Sequence, residues 1–223
     1  MVGHHDIIPL VISTTFLDPE KNGQVAGHLL QEPQSGLHLS GGLGRHWPQA
    51  RGVFTNGKGL VAWINQADHL RLAYQREDAA VWQALESTLR VEQGLNNYLK
   101  APGRLILSKA RGYQFSFTDA VGYVTFCPAN VGSAVQASAR LLLPRLAMEE
   151  AKLKAMCRQL GLYPSRRREL SDTGERKPVW EVTVAKHMEM SPEDIAAALA
   201  YGCRKLVDEE WEMGWSCENL VKS

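Results

Sequence analysis

The sequence contains no long apolar run, no surplus of charge of one sign and few cysteines. Since no stretch is long and apolar enough for a membrane-spanning helix, it predicts no membrane partner. The 25 Lys and Arg residues nearly balance the 24 Asp and Glu residues, so the composition predicts no nucleic-acid partner. The first residues, MVGHHDIIPL, have neither the basic nor the apolar region of a signal peptide.

Cysteine occurs four times, at Cys127, Cys157, Cys203 and Cys217. No two of them have the Cys-x-x-Cys spacing, and no histidine stands at ligand spacing, so the sequence predicts no metal site. Reduced thiols are typical of intracellular proteins. We therefore expect a reducing compartment, either the cytoplasm or an organelle or cytoskeletal assembly, and Cys127 is the thiol considered for chemistry.

Alternating and β-branched apolar runs predict a sheet, and helical spacing predicts three long helices. The predicted strands carry the runs VISTTF, GVFTN, GLVAWIN, HLRLAYQ, GYVTFC, ASARLLL and VWEVTV. Asn56-Gly57-Lys58-Gly59 between two of them predicts a hairpin. The helices are expected from an N-cap at Asp78 to Lys100, from Arg145 to Leu160, and from Ser191 onward. The predicted fold class is α+β, an antiparallel β-sheet flanked by long helices on one side, in a single domain over residues 1–223.

Polar and titratable side chains cluster where one apolar strand ends, in the segment NQADHLRL. Asn65, Asp68, His69 and Arg71 are residue types that bind substrates or transfer protons, but the two residues before Asp68 are uncharged. The segment has the composition of an active-site signature whose acidic middle has been replaced.

Three motifs, RHWPQARGVFTN, AWINQADHLRL and GYVTFCPANVG, precede the last helix in this order. The same motifs occur in the same order in phosphagen kinases, the ATP:guanidino phosphotransferases that include creatine and arginine kinase. The chain therefore resembles the catalytic domain of that family over about residues 28–215, and the resemblance implies a guanidino-kinase catalytic-domain fold. The family's small N-terminal helical domain has no counterpart in this sequence, so we expect one catalytic-like domain alone.

The resemblance places the family's general base at a position that is neutral in this chain. The family reads N-E-E-D-H-L-R, in which the second glutamate holds and deprotonates the guanidinium. Gln66 and Ala67 stand at the two glutamate positions, and a methyl group can neither accept a proton nor pair with a cation. Asp68 is expected to point to the opposite face as a structural residue. Cys127 matches the family's active-site cysteine and is either a buried remnant or a functional thiol.

The arginines that hold nucleotide phosphates in the family are mostly replaced here. Thr15 and Leu17 stand at two of these positions and Gln136 at a third, so none of the three carries a charge. The resemblance leaves His28 and Arg71 as nucleotide-binding candidates. Arg71 is equally well interpreted as an ion-pair partner that stabilises the sheet.

The segment SRRRELSDTGERK, from Ser165 to Lys177, corresponds to the glycine-rich loop that closes over the substrates in the family. Arg166 aligns with a phosphate-contacting arginine and is the third nucleotide-binding candidate, while the family's glutamate position falls at about Ser171. Arginines replace the hinge glycines, which reduces the backbone freedom that closure requires. The arginine run is interpreted as a phosphate site, a site for an acidic protein surface or a solvated loop.

Two segments are candidates for contacts with other proteins. Lys100–Gln114 is longer than the family's connection and has an apolar centre with a basic edge, so it is either an interface strand or an extension of the sheet. Trp211 and Trp215 are four residues apart on one helical face, and aromatic anchors are enriched at binding hot spots. The alternative is that both tryptophans pack on their own domain.

The sequence is compatible with three functions. The first is a non-catalytic phosphagen-kinase-like chain, which is a structural or interaction subunit of a larger assembly and has other protein subunits as partners. The second is a divergent active ATP:guanidino phosphotransferase that acts on arginine or on protein arginine. The third is binding of ATP or ADP with Mg²⁺ without turnover, and no other cofactor is predicted. The combined losses at the base, the phosphate clamp and the loop favour the first function.

Overall fold

The computed structural model describes residues 7–8, 10–14, 36–42, 44–45, 47, 51–56, 58–66, 68–76, 78–101, 113–166, 179–186 and 188–221. The side chains of residues 7–14, 37, 38, 129 and 215–221 are outside this description. The chain divides into a first unit, Met1–Val135 with His187–Met190, and a second unit, Gln136–Lys186 with Ser191–Ser223. The expectation that residues 1–223 act as one domain stays a prediction.

The first unit combines a sheet, short strand pairs and one long helix. Its elements in chain order are β1 (Ile7–Ile8), β2 (Leu10–Thr14), α1 (Gly36–Ser40), β3 (Gly52–Thr55), β4 (Leu60–Ile64), β5 (Leu70–Tyr74), α2 (Val81–Lys100), β6 (Gln114–Phe115), β7 (Phe117–Thr118) and β8 (Gly122–Tyr123). Strands β3, β4 and β5 form an antiparallel meander. Strand β2 adds to β5 in parallel, as β1 does to β6.

The predicted hairpin joins β3 to β4. The side chain of Asn56 accepts hydrogen bonds from the backbone amides of Lys58 (2.8 Å) and Leu60 (3.0 Å), which closes the turn. Gly59 has a φ of 95°, and a Cβ there would collide with the carbonyl oxygen of Gln75. Only glycine fits this position, and the hairpin prediction is confirmed.

Helix α2 lies against β2 and β5 and buries Leu85 and Thr88. It begins at Val81 with Ala80 as the N-cap, so the prediction that Asp78 caps the helix is wrong by two residues. The carboxylate of Asp78 instead accepts two hydrogen bonds from the guanidinium of Arg76, at 2.7 and 2.6 Å. The bidentate pair holds the chain that leads into the helix.

The second unit is a three-stranded antiparallel sheet covered by two helices. Its elements are β9 (Val135–Leu142), α3 (Glu150–Gln159), β10 (Leu162–Arg166), β11 (Val179–Val184) and α4 (Pro192–Val221). Strand β11 lies between β10 and β9. Helix α3 packs on β10 and helix α4 on β11. The core between them contains fully buried side chains, among them Leu146, Leu153, Trp180, Val182, Ile195 and Leu206.

The ends of α3 and α4 differ in how well local sequence predicts them. Helix α3 starts at Glu150, five residues after the predicted Arg145, and Gly161 follows its end with a φ of 69°. Helix α4 starts at Pro192 as predicted. Its first turn is closed by Ser191 and Asp194, because the Ser191 hydroxyl accepts from the Asp194 amide at 3.1 Å and donates to the Asp194 carboxylate at 2.6 Å.

The α+β fold class is confirmed. Among the described strand pairs most are antiparallel, as predicted, whereas β1 pairs with β6 and β2 with β5 in parallel. In the part of the chain that the structure describes, no helix is long and apolar enough to cross a membrane.

Candidate functional site

The polar segment of the sequence forms the turn between β4 and β5. Asn65 adopts a left-handed conformation with a φ of 54°, and its amide donates to the carbonyl of His69 at 3.0 Å. The side chains of Asn65 and His69 are also hydrogen bonded, at 3.1 Å between Oδ1 and Nδ1. In this turn His69 is exposed, whereas Asp68 is only 4% exposed.

Asp68 points into the protein and binds backbone. Its Oδ1 accepts a hydrogen bond of 2.6 Å from the amide of Phe126, the residue that precedes Cys127. The bond joins the β4–β5 turn to the Cys127 segment, which is 58 residues away in sequence. A buried carboxylate engaged in this way has the role of a structural anchor.

Arg71 lies on β5 directly opposite Trp63 of β4. Its guanidinium carbon is 5.5 Å from the centre of the Trp63 ring, in cation–π geometry. Burial lowers the pKa of Arg71, and the negative charge of Asp68 opposes that effect. The guanidinium remains charged at neutral pH, and the nearby carboxylate favours its interpretation as an ion-pair partner within the sheet.

Cys127 is half-buried and is the N-cap of a short 3₁₀ helix, Pro128–Asn130. Its carbonyl oxygen accepts from the hydroxyl of Thr125 at 2.7 Å and from the amide of Asn130 at 2.9 Å. Both contacts involve the peptide group and not the thiol. They fix the backbone of the Cys127 segment.

The second unit contributes a polar group that the sequence analysis missed. Glu181 on β11 is 6% exposed and accepts a hydrogen bond of 3.3 Å from the hydroxyl of Ser138 on β9. Arg140 is its partner residue across the strands. The signal was the single glutamate inside the apolar run VWEVTV, since a buried acid requires a partner. Arg166, the third nucleotide-binding candidate, is at the exposed end of β10.

Several positions singled out in the sequence lie outside the described residues. They are Thr15, Leu17, His28, Ala67, Ser171, residues 167–177 and the centre of the Lys100–Gln114 segment. Of the candidates that are described, the structure joins Asp68 to the Cys127 segment through Phe126 and places Arg71 where the charge of Asp68 acts on it, within the first unit. Among the described side chains, no group of three His, Cys, Asp or Glu could hold a metal ion.

The fold matches that of solved guanidino kinases. A crystal structure of lombricine kinase superimposes with a TM-score of 0.67 at 24% identity, covering 84% of this chain and 49% of that one. The likeness defines the class of fold, that of the guanidino kinases. Residues 11–213 match the family described as ATP:guanido phosphotransferase, C-terminal catalytic domain. The chain belongs to this family, and the match begins earlier than the expected residue 28.

Characterised relatives are similar over most of this chain. It is 28% identical to creatine kinase B-type from Gallus gallus over 208 residues, which cover 92% of this chain and 52% of that protein. It is 29% identical to arginine kinase from Turbo cornutus over 147 residues, covering 64% of this chain and 37% of that protein. The chain thus spans about half the length of the creatine kinase and a smaller share of the length of the arginine kinase.

Proposed function

We propose that this chain is a non-catalytic member of the family and serves as a structural or interaction subunit of a larger protein assembly in a reducing intracellular compartment. The observation that carries the proposal is the inward orientation of Asp68. It is the only carboxylate in the segment NQADHLRL, and its Oδ1 is bound to the Phe126 amide at 2.6 Å.

A general base must be within hydrogen-bond reach of the proton that it removes. Asp68 is 4% exposed and engaged with backbone, and the neighbouring Gln66 and Ala67 cannot accept a proton at neutral pH. The guanidinium of a substrate would therefore meet neutral side chains where the family provides glutamates. This loss by itself supports an inactive site.

Phosphoryl transfer also depends on cations that neutralise the nucleotide phosphates. Three positions correspond, by the resemblance, to phosphate-binding arginines of the family. They are occupied by the uncharged residues Thr15, Leu17 and Gln136. Loss of the base and loss of the clamp are independent changes, and together they support a chain that is retained for its fold and surfaces. The unbonded thiols of Cys127, Cys157 and Cys203 support a reducing compartment.

The test is a coupled assay of ADP release by the purified chain with MgATP and, in turn, arginine, creatine and an arginine-rich protein. We expect no turnover above the blank, with creatine kinase B-type from Gallus gallus and creatine as the positive control. Turnover with any acceptor that is abolished by Arg71→Ala would establish the divergent phosphotransferase instead. A matched variant, Glu86→Gln on the exposed face of α2, should leave any such activity unchanged.

Nucleotide binding without turnover is the second candidate, because the cations Arg71 and Arg166 are retained. A ligand that binds only the native state raises its stability, by about 2.7 kcal/mol at a hundredfold excess over Kd. Titration with MgATP and MgADP while the melting temperature is recorded is therefore the test. A rise that Arg166→Ala removes supports binding, and an unchanged melting temperature at millimolar nucleotide contradicts it.

A further inference from the structure

A groove of about 790 Å³ lies between α3 and α4 in the second unit. Met156 on α3 and Leu160 at its C-cap provide apolar side chains, and Tyr201 and Trp211 on α4 provide aromatic ones. The two aromatic side chains are unusually open to solvent, 59% exposed for Tyr201 and 66% for Trp211. Large aromatic side chains at such positions are enriched at protein-binding hot spots.

The length of the groove suits a helix. Tyr201 and Trp211 are ten residues apart on α4, which corresponds to about 15 Å along the helix axis. Helices α3 and α4 lie side by side, and an ion pair of 2.5 Å between Lys152 and Glu209 joins them. A third helix that packs into the groove between two neighbouring helices is a common arrangement, with its side-chain ridges between theirs.

The charge along the groove has a negative balance. Asp208, Glu209 and Glu212 line it together with Lys205, and Glu209 is paired with Lys152, which leaves Asp208 and Glu212 facing the ammonium group of Lys205 among the residues that line the groove. The surrounding carboxylates raise the pKa of Lys152, first through Glu209 and then through Glu149 and Glu212. The α4 side of the groove therefore attracts cations, which gives a charge preference to any molecule that binds there.

We propose that this groove binds a basic amphipathic helix of a partner protein. Apolar side chains at helical spacing would cover Met156, Leu160, Tyr201 and Trp211, while Lys or Arg side chains would face Asp208 and Glu212. The inference rests on the proposed function, because it names the class of partner that such an interaction subunit takes.

Other occupants fit the charges less well. Anionic lipid surfaces and nucleic acids would be repelled by the carboxylates of Asp208 and Glu212. A second copy of the chain that used the same groove in a two-fold contact would bring two acidic rows together. A basic helix is the occupant that satisfies both the aromatic anchors and the charge.

The probe is a synthetic amphipathic helix of Leu and Lys, about 18 residues long, with a matched Leu and Glu peptide as the control. Binding of each labelled peptide to the full chain is measured by fluorescence anisotropy at low and high salt. We expect the Leu and Lys peptide alone to bind, and more weakly at high salt. Trp211→Ala and the double variant Asp208→Lys, Glu212→Lys should each weaken binding by about tenfold or more.

Trp82→Ala is the matched control, since Trp82 is an exposed tryptophan (49%) on α2 in the first unit. Circular dichroism melts establish that each variant is folded, and Tyr201→Ala replaces any variant that is not. Equal binding of the two peptides, equal loss in Trp82→Ala, or no effect of the charge reversal would overturn the inference. So would light scattering that shows a dimer which Trp211→Ala dissociates, because the groove would then bind a second copy.

The two proposals fail separately. Turnover in the ADP-release assay would refute the non-catalytic function and leave peptide binding intact. Loss of peptide binding with no turnover would refute the groove and leave the non-catalytic function intact.

Discussion

The carboxylate of Asp68 accepts a 2.6 Å hydrogen bond from the backbone amide of Phe126. This bond fixes the turn that carries the degenerate signature to the segment that carries Cys127, within the first unit. It also gives an acidic residue of the signature a function in the fold that is independent of catalysis. An inactive family member would therefore still require Asp68.

Asp68→Ala should destabilise the protein by about 2–3 kcal/mol, because the partly buried amide of Phe126 loses a charged acceptor. The buried guanidinium of Arg71 also loses the nearby negative charge that favours its charged form. Urea unfolding followed by circular dichroism measures the change. Asp119→Ala, at an exposed position after β7, is the matched control and should stay within about 0.5 kcal/mol of the parent. A parent-like stability for Asp68→Ala would contradict the anchor role.

Glu210 on α4 has a comparable role in the second unit. It is 7% exposed, and its two carboxylate oxygens accept from the amides of Arg145 (2.8 Å) and Leu146 (2.9 Å). Glu210→Ala leaves two amides without their acceptor and should cost about 2–4 kcal/mol, whereas Glu210→Gln retains one acceptor and should cost less. The comparison is made by urea unfolding.

Glu209→Gln is the control for the Glu210 variants. Glu209 is the neighbouring residue and pairs with Lys152 near the surface, and such pairs contribute little to stability. Equal losses in the Glu209 and Glu210 variants would show that the helix contact, and not the bonds to the two amides, is responsible.

Local signals were sufficient for some elements and not for others. The β3–β4 hairpin was predictable because Asn56 bonds amides two and four residues ahead. The start of α3 was not, because the carboxylate of Glu210, 65 residues after Arg145, binds the amides at the expected helix start and keeps them in turns. Strand β10 was missed because LYPSR contains a proline and acquires strand character by pairing with β11.

The features of the candidate site also divide into those that the local sequence predicts and those that depend on long-range contacts. Neutral residues at positions 66 and 67 are a property of the sequence, and their consequence for proton transfer needs no coordinates. The inward orientation of Asp68 depends on the left-handed Asn65 and on Phe126, 58 residues away. Long-range contacts of this kind have no signature in a local window, which is also why Glu181 was missed.

Two glycine-to-alanine changes in helices should have opposite effects. A Cβ at Gly202 on α4 would lie 2.5 Å from Cδ1 of Leu162, which is itself buried. Gly202→Ala should therefore destabilise by about 1–3 kcal/mol, as overpacking does. A Cβ at Gly94 on α2 has no neighbour within 4 Å, so Gly94→Ala should stabilise by about 0.5–1 kcal/mol. Urea unfolding of both variants decides, and a loss in Gly94→Ala would contradict the packing described for α2.

The last prediction concerns pH. Burial raises the pKa of Glu92 on α2 above its ordinary value of 4.5, although the hydroxyl of Tyr123 donates to it at 3.5 Å. The native state therefore holds the proton of Glu92 more tightly than the unfolded state does. As pH rises from about 4.5 through the native pKa, the contribution of Glu92 to the free energy of unfolding falls. Glu92→Gln keeps an acceptor for Tyr123 and removes the titration. The free energy of unfolding of Glu92→Gln should rise relative to that of the parent between pH 4 and neutrality and equal it at lower pH.

Urea unfolding at a series of pH values measures this difference. The control is Glu86→Gln, because the carboxylate of Glu86 pairs with Arg90 on the exposed face of α2. A difference that is flat or falls with pH would show that the Glu92 carboxylate is not held in a desolvated position.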